Sequence, residues 1–243
     1  MTPVGRTQEP SCVFAVVASS IPSVTAEQMR TVDHLAIDDY GLALIQMMEN
    51  AGARLADLAI RRFRPGTVEV LCGIGGNGGG GLVAARHLAN RGARVHVSLA
   101  EVPDRLGDVP RHQLAILERA GVSVGREPVE SDLVLDAVLG YSLRGDPRGG
   151  AAELIRWATA QPAPVCALDV PSGLDATTGE VGYPCVRATA TLTLALPKTG
   201  LGRAPDAVGE LYLADISIPP NVYVDLGIRI GLIFAPGPIL RLV

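Results

Sequence analysis

Val68-Glu69-Val70-Leu71-Cys72 runs directly into Gly73-Ile74-Gly75-Gly76-Asn77-Gly78-Gly79-Gly80-Gly81, and a helix-forming stretch from Leu82 to Asn90 follows. Apolar strand, glycine-dense turn and helix in that order open a strand-helix-strand unit. Seven glycines in nine residues let the backbone turn sharply and approach a phosphate, while free amides at the helix start attract negative charge. Gly73-x-Gly75-x-x-Gly78 has the spacing of the dinucleotide fingerprint, and Glu101 lies beyond the next predicted strand, where a ribose-binding acid is expected. A tight crossover without ligand would need fewer glycines, each of which costs backbone entropy.

Upstream of this turn, Thr25-Ala26-Glu27-Gln28 has the form of a capping box and predicts a helix to about Asp39. Apolar spacing predicts a second helix from Leu44 to Arg62, stopped by Pro65-Gly66. Downstream, strands at Val95 to Ala100, Leu133 to Val138 and Val165 to Val170 alternate with helices at Arg111 to Ala120 and Ala151 to Ala160. Further strands are expected near Ala188 to Leu194 and Glu210 to Ile216. Such alternation predicts an α/β fold, a three-layer αβα Rossmann-like architecture with a mostly parallel sheet and helices on both faces. With no repeat or linker, one domain is expected over 23–243, behind a leader at 1–22 that is either flexible or an added strand.

The interior must be aliphatic, since hydrophobic residues make up 48% of the 243 while the chain has 3 Phe and 1 Trp. A net charge of -4 gives no electrostatic reason to expect the basic surface that nucleic-acid binding requires. No apolar run approaches the roughly 20 residues that span a bilayer. Arg6 and the run Cys12 to Ala18 make only a weak secretory signal, offset by Glu9. Cys12, Cys72, Cys166 and Cys185 are widely spaced, which predicts reduced, buried thiols.

Asp136 and Asp169 each end an apolar strand. Carboxyl ends of parallel strands open onto the ligand crevice, so the two acids should converge near the glycine-rich turn, for metal binding, hydrogen bonding or acid-base work. Capping or turn formation is the plainer alternative. The loop Gly140-Tyr141-Ser142-Leu143-Arg144-Gly145-Asp146-Pro147-Arg148-Gly149 can offer amides, a hydroxyl and two guanidinium groups to phosphates. Ser172, in Pro171-Ser172-Gly173-Leu174-Asp175, lacks the nucleophile-elbow pattern. His34, His87, His96 and His112 have no metal-ligand spacing and read as structural.

These segments together resemble the NAD(P)H-hydrate epimerase family, the YjeF N-terminal domain. The resemblance runs from about Ser23 to Gly227 and rests on Met48-Glu49-Asn50-Ala51-Gly52, the glycine-rich turn, Asp136-Ala137, and Leu168-Asp169-Val170-Pro171-Ser172-Gly173-Leu174-Asp175. Leu196-Pro197-Lys198-Thr199-Gly200-Leu201 and Asp215-Ile216-Ser217-Ile218-Pro219 extend it. The resemblance implies an isomerase that epimerises the R and S forms of hydrated NADH or NADPH, in cytoplasmic metabolite repair alongside a separate dehydratase. It also implies a homodimer. Gly76, Asn77, Gly78, Gly79 and Gly80, with the loop Gly140 to Asp146, would then hold the dinucleotide, and Asp169 would contact substrate and act as general acid on the departing hydroxyl. Asn77, Asp136 and Ser172 match positions that bind a potassium ion, and their oxygens suit a hard cation.

The family's turn typically reads Gly-Pro-Gly-Asn-Asn-Gly-Gly-Asp-Gly, whereas this chain has Ile74, Gly76 and Gly80 at three of those places. The loss of an amide and a carboxylate beside the ligand keeps a non-catalytic binding or scaffold protein in view. The fingerprint with Glu101 keeps a dinucleotide-dependent oxidoreductase in view, which a redox change in bound cofactor would reveal.

Overall fold

The computed structural model describes residues 14–17 and 21–243. Among these, nine strands form one sheet. In chain order they are β1 (Ala15–Val17), β2 (Thr67–Cys72), β3 (Arg94–Leu99), β4 (Ser123–Gly125), β5 (Leu133–Ala137), β6 (Val165–Leu168), β7 (Ala190–Leu194), β8 (Glu210–Ala214) and β9 (Ile239–Leu242). The spatial order is β1-β9-β8-β7-β6-β5-β2-β3-β4. All neighbours are parallel except β8 and β9.

The helices are α1 (Ala26–His34), α2 (Leu44–Phe63), α3 (Gly76–Asn90), α4 (Asp108–Arg119), α5 (Gly149–Ala160), α6 (Pro205–Val208) and α7 (Pro220–Val224). Period-two alternation assigns the faces of the sheet. Val68, Val70 and Cys72 pack with Leu55 of α2 and Leu82 of α3, while Leu71 turns to the other face with Leu154 and Ile155 of α5. This is the expected three-layer α/β arrangement, and its aliphatic side chains are each worth about 1.5–3 kcal/mol when buried.

Local signals read as expected at both ends of the first two helices. Thr25 Oγ1 accepts from the Gln28 amide at 3.1 Å and Gln28 returns the bond to the Thr25 amide at 2.8 Å. A π-helical turn, Leu35–Asp39, continues α1. Arg64, in the left-handed region, ends α2 just before Pro65. Two readings change, and part of the leader proves to be the added strand. The helix after the glycine turn starts at Gly76 rather than Leu82, so most of the glycines are helical. Strands β4 and β9 carry too few residues to show a period. The leader contributes β1, which pairs with β9, while Phe14 is buried edge-on against Tyr212 at 5.2 Å. The domain therefore reaches back to Ala15 at least. Cys72 and Cys166 are buried free thiols, Cys185 is only partly buried, and Cys12 lies outside the described residues.

One surface tie couples α2 to the sheet. Arg62 donates to Glu210 of β8 at 3.0 and 2.9 Å, and this guanidinium pushes the carboxyl down to about 2. A depressed carboxylate stabilises above its ordinary range and loses that contribution as pH falls from about 4.5 to about 2. Because both groups are partly exposed, Glu210→Gln should cost at most about 1 kcal/mol at pH 7. Urea unfolding across pH checks it: the gap from wild type should close near pH 2, and one that persisted would assign it to packing instead.

Candidate active site

From β2 the chain moves outward to β3 and β4, then returns to place β5 on the other side of β2. A crevice opens at the carboxyl ends of strands where the winding reverses in this way. Here it is a cleft of about 370 Å³, lined by Ile74 to Asn77 after β2, Val138 to Ser142 after β5, and Leu168-Asp169 at the end of β6. Met29, Met47 and Met48 cover it from α1 and α2, so the walls are largely apolar. The polar groups facing it include Asp33, Asn77, Tyr141, Asp169 and Lys198.

Asp169 leaves β6 with φ +69, a conformation that costs a non-glycine residue of order 1–3 kcal/mol and is kept where the surroundings enforce it. Its amide donates to Leu192 O at 2.8 Å. The carboxylate is 4% exposed. Lys198 Nζ bonds Oδ1, the Tyr141 amide donates to Oδ2 at 3.2 Å, and the Leu194 amide reaches Oδ1 at 3.4 Å. Lys198 is itself 1% exposed, and its ammonium also donates to Leu194 O at 2.8 Å. A charge so buried persists only when paired.

Asp136 lies below this floor, fully buried, and it does not line the cleft. Its oxygens accept from Ser172 Oγ at 2.6 Å, the Ser172 amide at 2.8 Å and the Val138 amide at 3.2 Å. No cationic side chain is among these partners, and burial raises the carboxyl to about 6. Ser172 Oγ also accepts from the Leu139 amide at 2.8 Å. Asn77 adjoins the next residue, Gly140, and its side-chain nitrogen is buried without a partner. The three predicted cation ligands thus gather about Leu139–Gly140, with one buried acid that has no cationic partner. That donor set fits a monovalent or divalent hard cation.

The remaining predicted site residues divide. Gly76 and Asn77 line the cleft, and no side chain caps α3 at Gly75, leaving its first amides free for an anion. Gly78, Gly79 and Gly80 are buried inside α3 instead. Gly140, Tyr141 and Ser142 line the cleft, whereas Leu143, Gly145 and Asp146 border a separate hollow of about 230 Å³. Asp146 there accepts from the Tyr183 amide at 2.8 Å, which ties two loops, and Arg144 is exposed. Glu101 is not at the cleft. His34, His87 and His96 pair with Asp38, Glu49 and Glu69.

Two cleft residues had no role assigned from sequence. Asp33 sits on α1, where a lone acid looks like a solvated helix position. Lys198 did carry a signal: it is the only lysine among 21 basic residues, in a chain that uses arginine everywhere else.

The family described as YjeF-related protein N-terminus matches residues 44–200. An NAD(P)H-hydrate epimerase of Dehalogenimonas lykanthroporepellens is 49% identical over 221 residues, covering 86% of this chain and 88% of that protein. A bifunctional NAD(P)H-hydrate repair enzyme of Salinibacter ruber is 41% identical over 226 residues, covering 83% of this chain and 42% of that longer protein. The crystal structure of yeast ynu0 has the same fold, with a TM-score of 0.78 at 22% identity, over 91% of this chain and 100% of the yeast chain. The match across residues 44–200 and the 49% identity over most of a relative's length mean that this chain belongs to the YjeF-related N-terminal family.

Proposed function

We propose that this protein interconverts the R and S forms of hydrated NADH and NADPH. Relatives named NAD(P)H-hydrate epimerase support it. The observation that carries it is the buried Asp169–Lys198 pair on the floor of an apolar cleft at the switch point of the sheet. The cleft takes the hydrated ring, and the free amides at the start of α3 take the phosphates.

Asp169 gives a proton to the departing hydroxyl. The ring nitrogen's lone pair then forms an iminium, to which water adds, so the carbon can be rebuilt in either configuration. Lys198, bonded to the same carboxylate, holds it in place and exchanges protons with it. The methionine-lined wall keeps bulk water from the iminium. Asn77, Asp136 and Ser172 would hold potassium, which supplies positive charge beside the buried Asp136. The proposal includes a homodimer in the cytoplasm, working beside a dehydratase that consumes one epimer. No helix among the described residues is long and apolar enough to cross a membrane.

Chromatography of purified S and R hydrated NADH tests this. Wild type should equilibrate the epimers, faster with potassium than without, and Asp169→Ala should be slower by about 100-fold or more. A folded wild type no faster than the spontaneous interconversion would sink the proposal.

A further inference from the structure

Epimerisation makes a demand that one acid does not meet. The hydroxyl leaves from one face of a planar iminium and water must arrive at the other, so proton transfer is needed on both sides of the ring. A second acid lines the cleft from a different wall: Asp33, on α1. Its Oδ2 accepts from the Tyr141 hydroxyl at 2.5 Å, and its Oδ1 has no hydrogen-bond partner among the described residues. Tyr141 also gives its amide to Asp169, so one residue touches both acids. Burial raises the Asp33 carboxyl above its ordinary value, against the Tyr141 hydrogen bond and the Lys198 charge, so it can hold a proton. Burial likewise raises the Tyr141 phenol, which stays a donor.

We infer that Asp33 is the second acid-base group of the epimerisation, serving the face of the ring opposite Asp169, with Tyr141 as its positioning residue. The inference rests on the epimerase reading above. Starting from one epimer, the Lys198 ammonium passes a proton through the Asp169 carboxylate to the hydroxyl. The C–O bond breaks, its electron pair leaves with water, and the nitrogen lone pair forms the C=N bond. A second water forms the new C–O bond on the other face and passes its proton to the Asp33 carboxylate. Lys198 ends neutral beside the Asp169 carboxylate and Asp33 ends protonated, which is the state the reverse reaction requires.

Oxygen exchange separates this from a structural role. In water enriched in oxygen-18, each wild-type epimerisation should bring in one solvent oxygen, read by mass spectrometry of the separated epimers. Asp33→Asn should epimerise about 100-fold more slowly. It should nevertheless keep exchanging oxygen into one starting epimer, because departure and return on the Asp169 face survive. Asp33→Glu should recover part of the rate, and Tyr141→Phe should lose about tenfold, the worth of one hydrogen bond. If Asp33→Asn has a native unfolding midpoint and loses epimerisation and exchange together, or loses neither, the inference is overturned. A wild type that does neither sinks the epimerase reading itself, and this inference with it.

Discussion

Lys198→Met should lower the free energy of unfolding by about 3–5 kcal/mol, the usual cost of removing one partner from a buried ion pair. The ammonium is bonded to Asp169 and to the Leu194 carbonyl, and the two side chains are 0% and 5% exposed. Without it the Asp169 carboxylate keeps only the Tyr141 and Leu194 amides, both at long range. Two weak donors do not compensate a desolvated charge. Adding Asp169→Asn should therefore recover much of the loss, because the neutral amide no longer needs the cation. Lys198→Arg should fail as well: a planar guanidinium is larger and cannot lose its proton, while the site holds a compact ammonium. Urea unfolding of the single and double variants measures the coupling. If the single variant were as stable as the double one, the pair would not be a desolvated ion pair, and the proton exchange proposed for it would lose its basis.

That pair also shows how far the sequence was legible. Asp169 could be found because it terminates an apolar strand, and strand ends of a parallel sheet face the crevice. Lys198 lies 29 residues further on, in a loop after β7, where no period or cap marks its direction. Only the fold brings it back to β6. Asp33 is hidden for a related reason, since its neighbour Tyr141 is 108 residues away in another loop. Strand-helix alternation was legible because burial imposes a period on every long element. The three-residue strand β4 and the antiparallel β9 were not, because their pairing comes from the neighbouring strand rather than from their own pattern. The glycine run was seen, yet composition cannot tell a glycine that meets a ligand from one that meets another backbone.

Structure separates those two kinds, and substitution should too. Gly78→Ala should cost about 3 kcal/mol or more, the upper end for an overpacked site. Its added methyl would lie 1.9 Å from the Gly73 carbonyl oxygen and 2.6 Å from the carbonyl carbon, both main-chain atoms. Gly73 is similarly closed, since a methyl there would lie 1.9 Å from the Val138 oxygen. Accommodating either one would mean lifting α3 off β2 or parting β2 from β5, the two strands that flank the cleft. At Gly76 a methyl meets nothing within 4 Å. Gly76→Asn, which restores the family's usual residue, should leave stability within about 0.5 kcal/mol. Because Gly76 lines the cleft, that change should act instead on KM for the hydrated dinucleotide. Gly80→Asp is different again: its first carbon would sit 2.7 Å from a Leu168 methyl, inside the core. The glycine at 80 therefore leaves room for the Leu168 side chain. Unfolding free energies and KM, measured on all three variants, distinguish packing from binding. A stable Gly78→Ala with a raised KM would assign the run to the ligand; an unstable Gly78→Ala beside a stable Gly76→Asn would assign most of it to the close approach of α3 to the sheet.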